Sequence, residues 1–413
     1  MIQAAGKQAL IMRWADEFAR HTEAPGMLTR TYLTAAHDGA ANQLAQWMRE
    51  AGMTVRRDNA GNVIGRYEGQ TPDAPALLTG SHFDTVRDAG KYDGNLGILL
   101  PIACIAEWNR QGRRFPFALE VIGFAEEEGV RFKATLLGSR AIAGTFDMTV
   151  LDKRDDQGQT MREVMTAAGL SVDALAQSAL DPGKVLAFME VHIEQGPVLF
   201  DENLPVGVVT AISGASRFMV TAIGLAGHAG TVPMTLRRDA AMTAAEIGLY
   251  IEKRCSGIPG LVGTVGQLSV PNGAANVVPG KAVFTIDIRA ESDDVRMEAV
   301  QDVLNEMQRI AARRNVTLDI NQTHEAKSVP CAPWLQEQLS CAIAGFGLPL
   351  RCLPSGAGHD AMAIAALTDV AMLFVRCGNG GISHHPDETM TAEDAGIAAD
   401  VFMRFVENFA VKP

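Results

Sequence analysis

The sequence predicts an α/β domain interrupted by a smaller α+β domain, and three observations lead there. Continuous apolar runs at Ala76–Thr79, Phe117–Phe124, Val185–Val191 and Val370–Val375 alternate with segments of helical spacing, the pattern of strands covered on both faces. From about 212 to 325 the pattern differs, and there Ala282–Ala290 alternates strictly between apolar and polar, which marks a half-exposed strand of an antiparallel sheet. The long runs then resume. At 413 residues the chain has room for two domains. The simplest organisation is one domain over 1–211 and 326–413, with a second inserted at 212–325.

Taken in order, residues 5–22 and 40–51 carry helical apolar spacing. Val55 to Tyr67 reads as two short strands around the Asn59-Ala60-Gly61-Asn62 turn. The longest apolar stretch, Leu96 to Ala106, contains Pro101 and is too short to span a bilayer, so it reads as a buried helix. In the insert, Ser216–Gly224 and Leu261–Val270 are strand-like. Ala282–Ala290 alternates, with Val283, Thr285, Asp287 and Arg289 on one face and Phe284, Ile286 and Ile288 on the other. Helices follow at about 237–254 and 293–314. The order strand, helix, strands, helix, strand is that of a compact α+β domain.

Composition narrows the function classes. Hydrophobic residues make up 47% and charged residues 20%, ordinary for a globular protein. The formal charge of -12 opposes binding to nucleic acid or to an anionic membrane. It also opposes an anionic substrate at long range, so such a substrate needs a local cation. Six scattered cysteines without a C-x-x-C pair read as free thiols in a reducing compartment. The N-terminus mixes Lys7, Arg13, Asp16 and Glu17 with its apolar residues, unlike a signal peptide. The expectation is a cytoplasmic protein.

Chemistry collects where the apolar runs end. Leu77–Ser81 leads to His82 and Asp84, Val121–Ala125 to Glu126, Glu127 and Glu128, Phe188–Val191 to His192, and Met372–Val375, after a Gly-rich loop, to His384 and His385. Sites in open α/β sheets form beyond the carboxyl ends of strands. A lone His there is more often a structural hydrogen-bonding residue, and a Glu triplet is usually a solvated face. Four segments converging on one sheet edge weigh against both bland readings. His and carboxylate ligands without Cys suit Zn²⁺ or Mn²⁺. Asp93, whose Asp93-Gly94 pair opens the helix after His82, is the candidate to bridge two ions. Spacing alone leaves open how the ligands pair, and whether His384 or His385 is one of them.

The motifs Gly80-Ser81-His82-Phe83-Asp84-Thr85-Val86, Asp93-Gly94 and Glu127-Glu128-Gly129 resemble the metal-dependent aminoacylase and carboxypeptidase superfamily. His192-Ile193-Glu194-Gln195-Gly196, Gly227-His228-Ala229-Gly230-Thr231 and Ser355-Gly356-Ala357-Gly358-His359-Asp360 resemble its branch of allantoate amidohydrolases, N-carbamoyl-L-amino-acid hydrolases and β-ureidopropionases. Asp88–Gly94, Glu127–Phe132 and Ala371–Cys377 look most like the plant-type allantoate amidohydrolases.

This resemblance implies a mixed-sheet di-metal hydrolase domain interrupted by a lid and dimerisation domain of four antiparallel strands and two helices. It implies two divalent ions per subunit, Zn²⁺ or Mn²⁺, with Asp93 as bridge, His82 and His192 completing one site, and Glu128 and His384 the other. Asp84 would orient the His82 ring. Glu127 would be the general base and His228 a donor to the oxyanion. Arg289 would pair with the substrate carboxylate. Gln195, Asn276 and Arg217 would hold the ureido and carboxylate groups, and Gly358 and His359 would shape the pocket floor. The implied reaction is hydrolysis of allantoate to ureidoglycine, ammonia and carbon dioxide by a homodimer. The alternatives are N-carbamoyl-L-amino acids or the β-ureidopropionase reaction.

Overall fold

The structure is a computed structural model that describes residues 6–412; residue 5 of the first predicted helix lies outside them. The chain forms two compact units. One runs up to Thr210 and takes in Cys331–Leu353 and the residues from Gly358 on; the other is Ala211–Pro330 with Pro354–Ala357. This last segment lies far outside 212–325. It belongs to the second unit because Ser213 N–H donates to Ser355 O (2.9 Å) and the Arg289 guanidinium donates to Gly356 O (2.6 Å).

The first unit is built on a mixed sheet. Its strands lie in the order Thr54–Arg57, Val63–Tyr67, Ala118–Phe124, Ala76–His82, Val185–Ile193, Val370–Val375, Val206–Ile212. The four predicted apolar runs are the central strands, and they are mutually parallel. Ala76–His82, Ala118–Phe124 and Val370–Val375 are buried along their whole length, as parallel strands covered on both faces must be. Parallel strands end on the same side, so His82, Glu127, Glu128, His192 and the loop after Val375 all start from one sheet edge. The outer strands are antiparallel to their neighbours, and Val206–Ile212 was not among the predicted elements.

Helix Leu96–Arg110 buries nearly every residue, as its apolar run implies, and accommodates Pro101 internally. It packs with helices Lys7–Phe18 and Ala392–Glu407 in one core, where Trp14, Trp108, Phe402 and Phe405 are buried. No helix among the described residues is long and apolar enough to cross a membrane.

The second unit has its own core. Strand Gly214–Ile223 runs between Lys281–Ala290 and Thr317–Ala326, all antiparallel. The predicted strand Leu261–Val270 is two pieces, Leu261–Thr264 and Leu268–Ser269, both paired with Lys281–Ala290. The break falls where the Thr285 hydroxyl oxygen takes the Gln267 N–H (3.0 Å), a bond that a continuous ladder has no place for. Five strand segments thus fill the four positions expected. Lys281–Ala290 buries Phe284, Ile286 and Ile288 and leaves the other face half-buried. Helices Ala240–Cys255 and Asp293–Arg314 cover the apolar face with Ile247, Ile251, Val303 and Met307. Asp239 and Ser292 cap their N-termini.

Candidate metal centre

Asp93 lies in the turn that opens helix Leu96–Arg110, and its carboxylate is buried. Oδ1 faces His192 Nε2 at 3.3 Å and His82 Nε2 at 3.7 Å. Oδ2 faces His384 Nε2 at 3.1 Å and accepts from Gln195 Nε2 at 3.1 Å. His384 Nε2 is also 3.6 Å from Glu128 Oε1. The ligand atoms of His82, Asp93 and His192 lie within 4.8 Å of one another, as do those of Asp93, Glu128 and His384, and those of His82, Glu127 and Glu128. His385 stands apart: it is exposed, and its Nδ1 accepts the Asp387 N–H at 3.1 Å.

The ring orientations follow from the second nitrogens. His82 Nδ1 is 3.0 Å from Asp84 O and His192 Nδ1 is 2.8 Å from Ile193 O, which places the proton on Nδ1 and turns Nε2 to the site. Asp84 therefore holds His82 chiefly through its backbone carbonyl, since its carboxylate is farther away at 3.5 Å. That carboxylate instead accepts the N–H groups of Glu127 (2.9 Å) and Glu128 (3.1 Å). It ties the loop after Ala118–Phe124 to the loop after Ala76–His82.

Two site residues, Gln195 and His384, have left-handed backbones, with φ of 56° and 54°. Such strain persists only where the surroundings hold it. Gly94 has φ +65°, and a Cβ there would lie 2.5 Å from His82 Cε1 and from His82 O. Glycine is what lets Asp93 approach the imidazole.

The electrostatics mark a site in need of positive charge. Burial pushes the Glu127 carboxyl well above the usual range, and Asp360, Asp84 and Asp93 add to it against His82. Burial does the same to Glu128, reinforced by Glu127 and Asp93. Burial also opposes ionisation of Asp93, yet His192, His384 and His82 hold it well below the carboxylate range. His384 is drawn up to about 9, chiefly by Asp93. Asp93 Oδ1 is buried with no hydrogen-bond partner among the described residues, although imidazole nitrogens surround it. Divalent cations fit such a set: imidazoles and carboxylates without thiolates are the ligands of Zn²⁺ and Mn²⁺, and their charge relieves crowded carboxylates.

Several supporting residues were not singled out from the sequence. Arg30 is fully buried, donating to Phe83 O (2.5 Å), Phe18 O (2.9 Å) and Asn95 Oδ1 (2.8 Å). It thereby joins the segments that follow His82 and Asp93. Burial pulls its guanidinium down to about 9, against the pull of Asp84. Glu190, buried on the strand of His192, accepts from Ser81 Oγ (2.7 Å) and Ala361 N–H (3.0 Å). Glu388 accepts the N–H groups of Tyr92 and Asp93. Of the three, only Glu388 carried a sequence signal, standing four residues after His384.

His359 is buried with its ring centroid 4.5 Å from that of His192. Gly358 leaves space beside Glu127, whose Oε1 would be 3.7 Å from a Cβ there. The remaining candidates lie in the second unit, in two groups. His228 is in a two-residue strand paired with Val277, and Ala229 N–H donates to Asn276 O (2.9 Å), so His228 and Asn276 are neighbours. Arg289 grips Asp287 with Nε and Nη2, both at 2.9 Å, and Arg217 Nε reaches the same carboxylate at 2.9 Å. Arg217, Asp287 and Arg289 line a cavity with Phe218, Thr285 and Thr323.

The sequence model described as peptidase family M20/M25/M40 matches residues 78–408. The chain is 41% identical over 385 residues to an N-carbamoyl-L-amino acid amidohydrolase of Geobacillus stearothermophilus, covering 93% of this chain and 94% of that one. It is 40% identical over 428 residues to a probable allantoate deiminase of Oryza sativa subsp. japonica, covering 96% and 87%. Among solved structures, an amidase of the hydantoinase/carbamoylase family from Burkholderia multivorans superposes with a TM-score of 0.90 at 32% identity, covering 96% of each chain.

Proposed function

This chain belongs to peptidase family M20/M25/M40, and from that premise we propose that it is a two-metal amidohydrolase that cleaves the ureido C–N bond of allantoate. The observation that carries the reading is Asp93, whose two oxygens face different ligand groups, His82 and His192 on one side and His384, beside Glu128, on the other. A carboxylate so placed would hold two ions in one site.

Two divalent cations, Zn²⁺ or Mn²⁺, held by His82, Asp93, Glu128, His192 and His384, would supply charge that acidifies water and stabilises negative charge on the attacked carbonyl oxygen. The chain does the rest. Glu127 takes the proton from the attacking water and passes it to the departing nitrogen. His228 donates to the developing oxyanion. Gln195, Asn276 and Arg217 orient the ureido acid, with Gly358 and His359 behind it. Arg289 pairs with its carboxylate. Two guanidiniums sharing Asp287 leave one net positive charge, the local cation that an anionic substrate needs on an acidic chain. Cleavage of one C–N bond leaves a carbamate, whose breakdown splits the other, so that the products are ureidoglycine, ammonia and carbon dioxide.

The likeness to the rice deiminase and the stretches Asp88–Gly94 and Ala371–Cys377 support allantoate. The similar identity to the Geobacillus enzyme supports N-carbamoyl-L-amino acids as the second reading. We place the enzyme in the cytoplasm, in keeping with six unpaired cysteines, as a homodimer through the second unit. That unit exposes Leu225, Met234, Leu236 and Leu249, each more than 60% accessible.

The test is ammonia release by metal-loaded protein from allantoate, N-carbamoyl-L-amino acids and N-carbamoyl-β-alanine. The highest kcat/KM is expected on allantoate. No release from any of them removes the reading; preference for a carbamoyl amino acid reassigns the substrate.

A further inference from the structure

The two ligand groups are held differently. His82 and His192 are buried at strand ends, each ring fastened by a backbone carbonyl. His384 has half its side chain exposed and rides on the loop after Val370–Val375. What fastens that loop is Glu388. Its carboxylate is buried; Oε1 accepts the N–H groups of Tyr92 (2.9 Å) and Asp93 (3.1 Å), and Oε2 accepts the Ser383 hydroxyl (2.8 Å). The same hydroxyl lies 3.3 Å from Asp93 Oδ2. One carboxylate therefore grips the backbone of the bridging residue and the neighbour of His384, although the two loops are almost three hundred residues apart in sequence.

The surroundings are built for this grip. A side chain at Gly90 would overlap the Glu388 carboxylate, so the Asp93 loop closes on Glu388 only because residue 90 is glycine. On the other side the loop is cross-braced: Asn379 Nδ2 donates to Asp387 O (2.6 Å), Gly378 N–H to Thr389 O (2.7 Å), and Glu388 N–H to His385 O (3.0 Å).

We propose that Glu388 is a positioning residue that locks the His384 loop to Asp93, so that an ion at Asp93, Glu128 and His384 depends on it more than an ion at His82, Asp93 and His192 does. This rests on the two-metal reading above. The effect falls mainly on the second position, because that position shares both Asp93 and the His384 loop with Glu388, while His82 and His192 of the first draw their rigidity from strands that Glu388 does not touch. Loss of a residue that orients ligands costs ~10- to 100-fold in metal affinity.

The test is titration of the metal-stripped full chain with Co²⁺, following the visible absorption of each bound ion and competition with a chromogenic chelator. The wild type is expected to bind two ions. Glu388→Ala should weaken the site of Asp93, Glu128 and His384 by ~10- to 100-fold and the site of His82, Asp93 and His192 by less. Glu388→Gln keeps an oxygen for the two N–H groups and should fall between. Wild-type affinity at both sites in Glu388→Ala, or equal weakening of both, overturns the proposal. If Glu388→Ala does not fold, Ser383→Ala removes the hydroxyl link to Glu388 and Asp93 and should weaken the same site more than the other; no change, or equal change at both sites, overturns the proposal there. A wild type that binds fewer than two ions overturns the underlying reading instead, and that result appears before any variant is compared.

Discussion

The different roles proposed for Glu127 and Glu128, neighbours in sequence, rest on what their side chains meet. Glu128 faces His384, while Glu127 adjoins the space left by Gly358. Glu127→Gln is expected to lower kcat by ~10²- to 10⁴-fold while metal content, read by elemental analysis, stays at the wild-type value. Activity that survives would move the base elsewhere. His37 makes a different prediction. It is fully buried, with Nε2 bonded to Ala125 O at 2.7 Å, and burial lowers its pKa to about 4 from 6.5. The unfolded chain binds this proton near pH 6.5 and the folded chain only near 4. Stability present above 6.5 is therefore lost as pH falls between these values. At ~1.4 kcal/mol per unit the loss is on the order of 3 kcal/mol. Urea unfolding of metal-stripped His37→Gln should show a shallower fall over this window than the wild type. Parallel curves would exclude His37 as the source.

At the scale of elements, parallel strands and the turns that leave them decide where chemistry can sit. The ends of Ala76–His82, Ala118–Phe124 and Val185–Ile193 were legible because long apolar runs must be buried and must stop where polar residues begin. The strand Val206–Ile212 was not among the predicted runs, although it is as apolar as they are. The break between Leu261–Thr264 and Leu268–Ser269 escaped because it depends on the side chain of Thr285 across the ladder. In the turn before Leu96–Arg110, Gly94→Ala puts a Cβ against the His82 ring in a left-handed backbone. The backbone term alone costs ~1–2 kcal/mol. A fall in melting temperature is expected together with weaker binding of the ion between His82 and His192. Unchanged metal affinity would show that the turn does not set the approach of Asp93 to His82.

At the scale of the whole molecule, an acidic chain concentrates its exposed apolar side chains in the smaller unit. Sedimentation of the full chain is expected to give twice its 44.1 kDa mass. Leu249→Asp, on the outer face of helix Ala240–Cys255, should shift the equilibrium towards the single chain, with unfolding midpoint and circular dichroism otherwise preserved. A wild type that sediments as one chain would remove the dimer.

By itself the sequence determined which residue types could bind metal, and that they leave one edge of an α/β sheet. An apolar run is a local property of the chain, and burial on both faces favours parallel neighbours. Family motifs added the pairing of ligands and the choice of His384. Tertiary structure alone decided what holds those candidate ligands still. Arg30, Glu190 and Glu388 act through contacts between segments distant in the chain, and no spacing rule encodes which buried donor meets which acceptor. It also decided that Asp84 spends its carboxylate on the N–H groups of Glu127 and Glu128. That choice rests on how two loops approach, a distance that exists only once the sheet has formed.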